Sequence, residues 1–155
     1  MIEMTCKVSG SIAVKRSKFV KILTDSIKQV IRGWHENALP KHFEPSAPRR
    51  YKYKARSRRY QQSKNRRGLQ PLEYSGRSKR QLTRTIKPTG SNGLVKGKFV
   101  TDSTMRYFWM TPTGHPDKAS ELVAVTKRET DQIRAAIEKL TAEGVNAVDD
   151  KGTIK

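Results

Sequence analysis

Residues 17–38 carry the clearest periodic pattern of apolar and polar positions in the chain. Their apolar side chains recur at spacings of three, four and one residues, which places them on one face of a helix. This apolar stripe consists of Phe19, Ile22, Leu23, Ile27, Val30, Ile31 and Trp34. Ser17 can cap the start, and Pro40 prevents continuation of the helix. The pattern therefore predicts an amphipathic helix over residues 17–38.

A second amphipathic helix is predicted towards the C-terminal end. Thr126 and Glu129 have the spacing of a capping box, in which each residue satisfies a free backbone N–H of the first turn. Apolar residues follow at helical spacing, and Gly144 is a natural stop. They are Ile133, Ala136, Ile137 and Leu140. The tail beyond the helix, at about residues 146–155, is predicted to be flexible.

Short apolar runs elsewhere predict antiparallel strands. A turn is expected at residues 89–93, and a short helix is expected to run from about Ser75 to Leu82. The predicted strands cover residues 2–8, 85–86, 94–100, 105–110 and 122–125. No βαβ rhythm is present, so the predicted fold class is α+β, a small antiparallel sheet with two amphipathic helices. At 155 residues the chain fits a single domain.

Residues 49–67, here called the basic segment, interrupt this pattern. They contain ten Lys or Arg, three Tyr and no acidic residue. Pro45 and Pro48 indicate an extended entry. Residues 57–67 can form a short helix, but such a helix is polar on all sides and has nothing of its own to pack. We therefore predict a long extended arm or loop over about residues 44–70, lying outside the core.

Charge is unevenly distributed along the chain, whose formal net charge is +19. Residues 41–90 hold 16 Lys or Arg against two acids, whereas residues 117–150 hold eight acids against five bases. Such asymmetry indicates binding to nucleic acid, to an acidic protein surface, or head-to-tail to copies of the same chain. The predicted partner-binding cations are Arg49, Arg50, Lys52, Lys54, Arg56, Arg58, Arg59, Lys64, Arg66 and Arg67.

The basic segment supports three interpretations. It can be a merely solvated charged loop, although like charges at this density oppose compaction. It can bind nucleic acid, because cations neutralise phosphates and tyrosine rings stack on bases, but no base-reading motif is present. It can also be an assembly element whose interface aromatics are Tyr51, Tyr53 and Tyr60, a residue type enriched at interface centres.

Catalysis finds little support in the sequence. His35, His42 and His115 are scattered and lack zinc-ligand spacing, and Cys6 is the only cysteine. No glycine pattern matches a phosphate-binding loop. No stretch approaches the roughly 18 apolar residues that cross a bilayer. We therefore expect neither an enzyme nor a metal, cofactor or membrane partner.

The order of motifs through the middle of the chain resembles that of a known family. Ala38-Leu39-Pro40-Lys41-His42-Phe43 is followed by Arg50-Tyr51-Lys52-Tyr53, Arg58-Arg59-Tyr60, the basic run 64–67 and Pro71-Leu72-Glu73-Tyr74-Ser75-Gly76-Arg77. Residues 114–118 and 121–126 continue the series. This order resembles tailed-bacteriophage virion-morphogenesis proteins, the neck or tail-completion group at the head–tail junction. The similarity covers about residues 30–135.

The resemblance implies a structural virion protein without catalysis. Such a subunit would form a homo-oligomeric ring, a hexamer or dodecamer, and would be synthesised in the host bacterial cytoplasm. Its expected partners are other junction proteins, such as portal, adaptor, tail terminator or tail tube, with non-specific contact to genomic DNA. A ring would bury surface that the small core of one subunit leaves open. The alternative is a small basic nucleic-acid-binding protein associated with the nucleoid or the ribosome.

Overall fold

The computed structural model describes residues 2–5, 14–70, 72–73, 76–84, 86–99 and 117–148. The fold class is α+β, as predicted. The elements in chain order are β1 (Ile2–Thr5), α1 (Arg16–Asn37), a 3₁₀ helix (Leu39–Phe43), α2 (Ala47–Arg50), α3 (Arg58–Arg66), α4 (Gly76–Leu82), β2 (Thr89–Ser91), β3 (Leu94–Gly97), α5 (Lys118–Leu122) and α6 (Lys127–Asn146). The chain divides into two compact units. Unit 1 comprises residues 1–34, 87–98 and 127–155, and unit 2 comprises residues 35–86 and 99–126.

The sheet of unit 1 has β3 at its centre, paired antiparallel with β1 on one side and β2 on the other. Strands β2 and β3 form a hairpin in which Ser91 pairs with Leu94. The two residues between them, Asn92 and Gly93, have φ values of 53° and 77°. Positive φ at both positions is the turn geometry that matches the twist of a hairpin, and Asn-Gly adopts it readily. This two-residue turn lies within the predicted turn at residues 89–93.

Helix α1 confirms the prediction from the apolar stripe. Six of the seven stripe residues are buried, and they are Ile22, Leu23, Ile27, Val30, Ile31 and Trp34. Thr24 lies beside the stripe and is also buried. Its Oγ1 donates to the carbonyl of Val20 at 2.6 Å and accepts from the N–H of Gly93 at 3.0 Å. One buried hydroxyl thus joins the hairpin turn to the helix.

Helix α6 is confirmed, but Gly144 does not end it. The helix continues to Asn146. A Cβ added to Gly144 would lie 2.5 Å from Cγ2 of Ile22, which is closer than real Cβ contacts come. The glycine therefore permits close approach of α6 to α1, a role that depends on a distant residue and gives no local signal.

Two predicted strands are corrected by the structure. Residues 118–122 form α5 instead of leading into a strand, because Asp117 Oδ1 accepts from the N–H groups of Ala119 and Ser120 and so caps a helix. Ile86 lies outside the strands, after α4. The predicted strand at residues 105–110, His115, Cys6 and most of the predicted flexible tail lie outside the described residues. The single-domain prediction stays a prediction.

The extended conformation predicted for residues 44–70 is wrong. The segment forms α2 and α3 within unit 2, and both Ala47 and Tyr51 are buried. Ser57 caps α3 by accepting from the N–H of Tyr60. At the other end Gly68, at φ 61°, donates to the carbonyl of Asn65 while Leu69 donates to that of Lys64. This paired arrangement is a Schellman motif, so local caps at both ends stabilise a helix that lacks an apolar face.

Candidate functional site

Unit 2 contains a cavity of about 770 Å³, and residues of the basic segment form much of its wall. The described lining residues combine cations, tyrosines, prolines and leucines with a single acid. They are Pro45, Pro48, Tyr53, Lys54, Ala55, Arg56, Tyr60, Gln61, Lys64, Asn65, Gly68, Leu69, Gln70, Leu72, Glu73 and Lys118. This mixture of charged and apolar groups in a concave space is typical of ligand sites.

Arg56 reaches the cavity from the loop before α3 and forms an ion pair with Glu121 of α5. Its Nη1 donates to Glu121 Oε1 at 3.0 Å, and its Nη2 donates to Oε2. The backbone N–H of Lys54 donates to the same Oε1 at 3.0 Å. Glu121 is 8% exposed, and these three donors satisfy its carboxylate away from solvent. The pair joins the basic segment to α5.

Lys64 is the one buried cation of the basic segment, at 7% exposure. Its Nζ donates to the carbonyl of Gln70 at 2.9 Å and lies 5.5 Å from the centre of the Tyr60 ring. Burial lowers the pKa of Lys64 to about 8, and the cations Arg56, Arg67 and Lys118 act in the same direction. Glu73 opposes them. The lysine thus carries a charge that is easily lost and lies against the cavity.

Gln70 is held from both ends of its backbone. Its carbonyl accepts from Lys64, and its N–H donates to Glu73 Oε2 at 2.9 Å. Leu72, next in this wall, is buried at φ 57°, a conformation that costs energy for a residue with a branched side chain. Lys64 and Glu73 thus fix the backbone of Gln70, and the strained backbone of Leu72 continues the same wall.

The predicted interface aromatics lie in different environments. Tyr51 is 7% exposed and stacks on His42, with ring centres 3.8 Å apart. Tyr53 lines the cavity, and its hydroxyl lies 2.6 Å from His42 Nδ1. Tyr60 also lines the cavity and is 39% exposed. Tyr51 thus packs inside unit 2, whereas Tyr60 is open to a partner.

The predicted partner-binding cations separate into two sets. Arg56 and Lys64 line the cavity and are covered, whereas the other eight are exposed, although Lys54 among them also lines the cavity. The exposed set, here called the basic surface, consists of Arg49, Arg50, Lys52, Lys54, Arg58, Arg59, Arg66 and Arg67. Arg50 forms a surface ion pair with Glu44 at 3.3 Å. The basic segment therefore presents most of its charge outward from folded helices.

Sequence reasoning missed two residues of the site, Lys118 in the cavity wall and Glu121, which pairs with Arg56. Glu121 and Lys118 come from α5, more than 50 residues beyond α3, and no local pattern relates them to Arg56 or Lys64. One signal was present in the sequence, since Gly68 directly after a basic run is a common helix stop. This signal indicates a helix over residues 57–67 that is followed by a turn.

The other candidate chemistry gives little. Burial lowers the pKa of His35, and its Nε2 lies 2.9 Å from the carbonyl of Leu82, which suits a packed histidine. Within the described ranges, no group of three or more His, Cys, Asp or Glu is placed to hold a metal ion. None of the described helices is both long and apolar enough to cross a membrane. Comparison of the chain with protein-family models, with curated proteins and with solved structures found no match.

Proposed function

We propose that this protein is a structural subunit of the head–tail junction of a tailed bacteriophage, a ring-forming neck or tail-completion protein. The observation that carries the proposal furthest is the basic surface, eight exposed cations displayed on and around two short helices. Its role in the proposal is to bind acidic surfaces of neighbouring virion proteins. The order of motifs from Ala38 to Arg77 supports the choice of the junction.

A folded basic surface suits permanent assembly. The backbone that carries these side chains is already ordered in or beside short helices, so binding a neighbour orders fewer groups than binding by an extended arm would. His42 and Tyr51, two residues of the motif series, are buried and stack on each other. In the proposal these motif residues maintain the scaffold and the cations contact the partner.

The described acids of residues 117–148 offer little complement to the basic surface. Asp117 caps α5, and Glu121 is buried against Arg56. The acids of α6 alternate with as many bases along the helix, which leaves no face of one sign. We therefore propose that other junction proteins supply most of the acidic partners, while contacts between copies in the ring rest on other groups.

The basic surface also supports a second candidate function, non-enzymatic nucleic-acid binding. The same eight cations can neutralise phosphates, and Tyr60 is exposed for stacking. This candidate makes a prediction that the first does not. Affinity for duplex DNA must fall steeply with salt concentration, because each phosphate contact releases counterions.

Two measurements on the purified full chain test the proposal. Negative-stain images and light scattering after size exclusion are expected to show closed rings, whereas filter binding to arbitrary duplex DNA at physiological salt is expected to be weak. A double variant, Arg58→Gln with Arg59→Gln, keeps the subunit folded and tests the basic surface. Monomers at all concentrations, together with tight salt-dependent DNA binding that this variant abolishes, would establish the second candidate instead.

A further inference from the structure

Helix α3 turns one side towards the cavity of unit 2. Four of its residues line the cavity, and they are Tyr60, Gln61, Lys64 and Asn65. Residues four apart lie above one another on a helix, so these four form two neighbouring stripes on a single face. Arg59 and Arg66 lie on the opposite face, and neither is among the described lining residues. The exposed cations in and beside α3 therefore differ in their relation to the cavity.

Arg58 and Arg67 stand at the two ends of the face that lines the cavity. Arg58 is three residues before Gln61, so it begins one stripe, and Arg67 is three residues after Lys64, so it ends the other. Both arginines are exposed. A third exposed cation, Lys54, lines the cavity from the loop before α3. These three residues, here called the border cations, place positive charge around the cavity on several sides.

The border cations have no counter-charge within the described part of the chain. No acidic residue occurs in residues 45–72. The ion pairs described for this range are those of Arg50 and Arg56, and they involve none of the border cations. Arg67 Nε donates to a backbone carbonyl at 3.3 Å, a contact that does not neutralise its charge. Acidic groups of a partner would therefore find these three charges available.

Between the border cations the wall of the cavity is aromatic and aliphatic. Tyr53 and Tyr60 supply rings, and the aliphatic side chains are those of Pro45, Pro48, Leu69 and Leu72. The buried charges of the wall, on Arg56, Lys64 and Glu73, are already held by contacts within unit 2. At about 770 Å³ the cavity has room for a large side chain and its neighbours. An apolar group thus suits the middle of the site, and negative charge suits its borders.

The dimensions suit an extended peptide. Arg58 and Arg67 are nine residues apart, which is about 13 Å along a helix axis. An extended chain advances about 3.3 Å per residue, so two acids four positions apart span that distance with one side chain midway between them. A single-stranded nucleic acid suits the site less well, because it is bound by grooves that are positive along the whole backbone.

We propose that this cavity is the docking site for an acidic linear segment of a neighbouring protein. An aromatic or aliphatic side chain of the segment enters the cavity, and acids on either side of it pair with Lys54, Arg58 and Arg67. An apolar anchor with a charged rim is the common arrangement of protein interfaces. The inference rests on the proposed function for the neighbour, another junction protein, and it names the chemistry of the segment that this neighbour supplies.

The test is an NMR titration of the ¹⁵N-labelled full chain with three peptides of equal length. Acetyl-Glu-Ser-Phe-Ser-Glu-amide carries both the anchor and the acids, and we expect it to bind with a Kd of about 1 mM or tighter. Replacing both Glu by Gln should weaken binding about fivefold, as expected for exposed ion pairs. Replacing Phe by Ala should weaken it about tenfold, because the anchor is lost.

Two matched pairs of variants locate the site. Arg58→Gln should weaken binding of the acidic Phe peptide about threefold, whereas Arg59→Gln, on the opposite face, should change it by less than about 1.5-fold. Arg67→Gln and Arg66→Gln form the second pair, with the same expectation. Gln at position 58 also removes a cation from the first turn of α3, where the helix dipole disfavours positive charge, so the helix should remain folded.

Equal losses within both pairs would show only a general attraction to a basic chain, and would overturn the proposal. So would equal affinity for the Glu and Gln peptides, equal affinity for the Phe and Ala peptides, or no binding of the acidic Phe peptide. Tighter binding of a thymidine pentanucleotide, with shifts at the same resonances, would assign the cavity to nucleic acid and overturn it too.

The proposed function is tested separately by ring formation. Rings of a chain that does not bind the acidic Phe peptide would overturn this inference alone. Peptide binding with the expected variant losses, by a chain that forms no rings, would support the docking site and count against the ring-forming subunit.

Discussion

Arg56 and Glu121, which lie 65 residues apart in the chain, meet in a two-pronged ion pair that is largely removed from solvent. The contact connects the most basic stretch of the molecule to a helix in its most acidic stretch. The charge asymmetry of the sequence suggests contacts between molecules, but this ion pair is a contact within one subunit.

Removing the acid of this pair should destabilise the fold more than removing an acid at the surface. Glu121→Gln leaves the largely covered guanidinium of Arg56, whose side chain is 19% exposed, without its counter-charge, and we expect a loss of about 2 to 3 kcal/mol in the free energy of unfolding. Urea denaturation measures it. Glu143→Gln is the control, because its ion pair with Lys139 is exposed and 3.9 Å long. That change should cost less than about 0.5 kcal/mol. Equal effects would mean that the buried pair contributes no more to the free energy of unfolding than the exposed pair does.

The loss of stability on replacing a tyrosine with alanine should depend on how deeply its ring is buried. Tyr51→Ala removes a ring that is packed on His42, and we expect a loss of about 3 kcal/mol in stability. Tyr60→Ala removes a partly exposed ring and should cost less than about 1 kcal/mol. Thermal unfolding followed by circular dichroism distinguishes them.

A stable Tyr51→Ala subunit would show that His42 and Tyr51 do not form part of the core. Under the proposed function, Tyr60→Ala is the more informative variant for assembly, since a loss of rings with an unchanged melting temperature places Tyr60 at an interface.

Lys64 should make stability depend on pH in the alkaline range. Its pKa in the folded chain, about 8, lies below the ordinary 10.5, so the unfolded chain binds more protons between these values. Stability attributable to Lys64 therefore rises with pH over that window, by about 1 kcal/mol per pH unit. The charged and titratable groups around it are Arg56, Arg67, Lys118, Glu73 and Tyr60.

Because the pKa values of Lys118 and Tyr60 are themselves shifted by burial, the measurement is a difference. Urea unfolding of the parent chain and of Lys64→Met is compared from pH 7 to 10, and the stability of the variant should rise less with pH. Parallel profiles would indicate that Lys64 keeps its ordinary pKa and is hydrated.

Two helical glycines should respond in opposite directions to alanine. Gly33→Ala places a methyl group in open space within α1, and the gain in helix propensity should stabilise the chain by up to about 1 kcal/mol. Gly144→Ala gains the same propensity but drives Cβ into Ile22, so we expect a net loss of about 1 to 2 kcal/mol. A double variant, Gly144→Ala with Ile22→Leu, tests whether the clash is the cause, since leucine lacks the Cγ2 methyl group that the added Cβ meets and should recover part of the loss.

Sequence patterns predicted those parts of the fold that depend on residues close together in the chain. Helix α1 follows from the spacing of its apolar stripe, and the turn at Asn92-Gly93 follows from backbone conformations that those two residues adopt cheaply. Gly144 was predicted to end a helix because sequence alone does not reveal that Ile22 faces it.

The candidate site depended on distant contacts and was predicted only in part. The ten cations were recognisable as binding residues, but their division into a surface set and a cavity pair depends on Glu121 and Gln70. An all-polar helix such as α3 normally indicates a solvated element. Here the caps at Ser57 and Gly68 stabilise α3, and burial of Lys64 packs the helix on the rest of unit 2.

The position of Ile22 also bears on how the chain folds during synthesis. The ribosome releases α1 early, but α6, which brings Gly144 against Ile22, emerges only after all of unit 2. Closing so long a loop is slow, and the apolar stripe of α1 stays uncovered by α6 meanwhile. Unit 1 is therefore completed only after every residue of unit 2 has been synthesised, so the order in which the two units are completed is the reverse of the order in which their first residues appear.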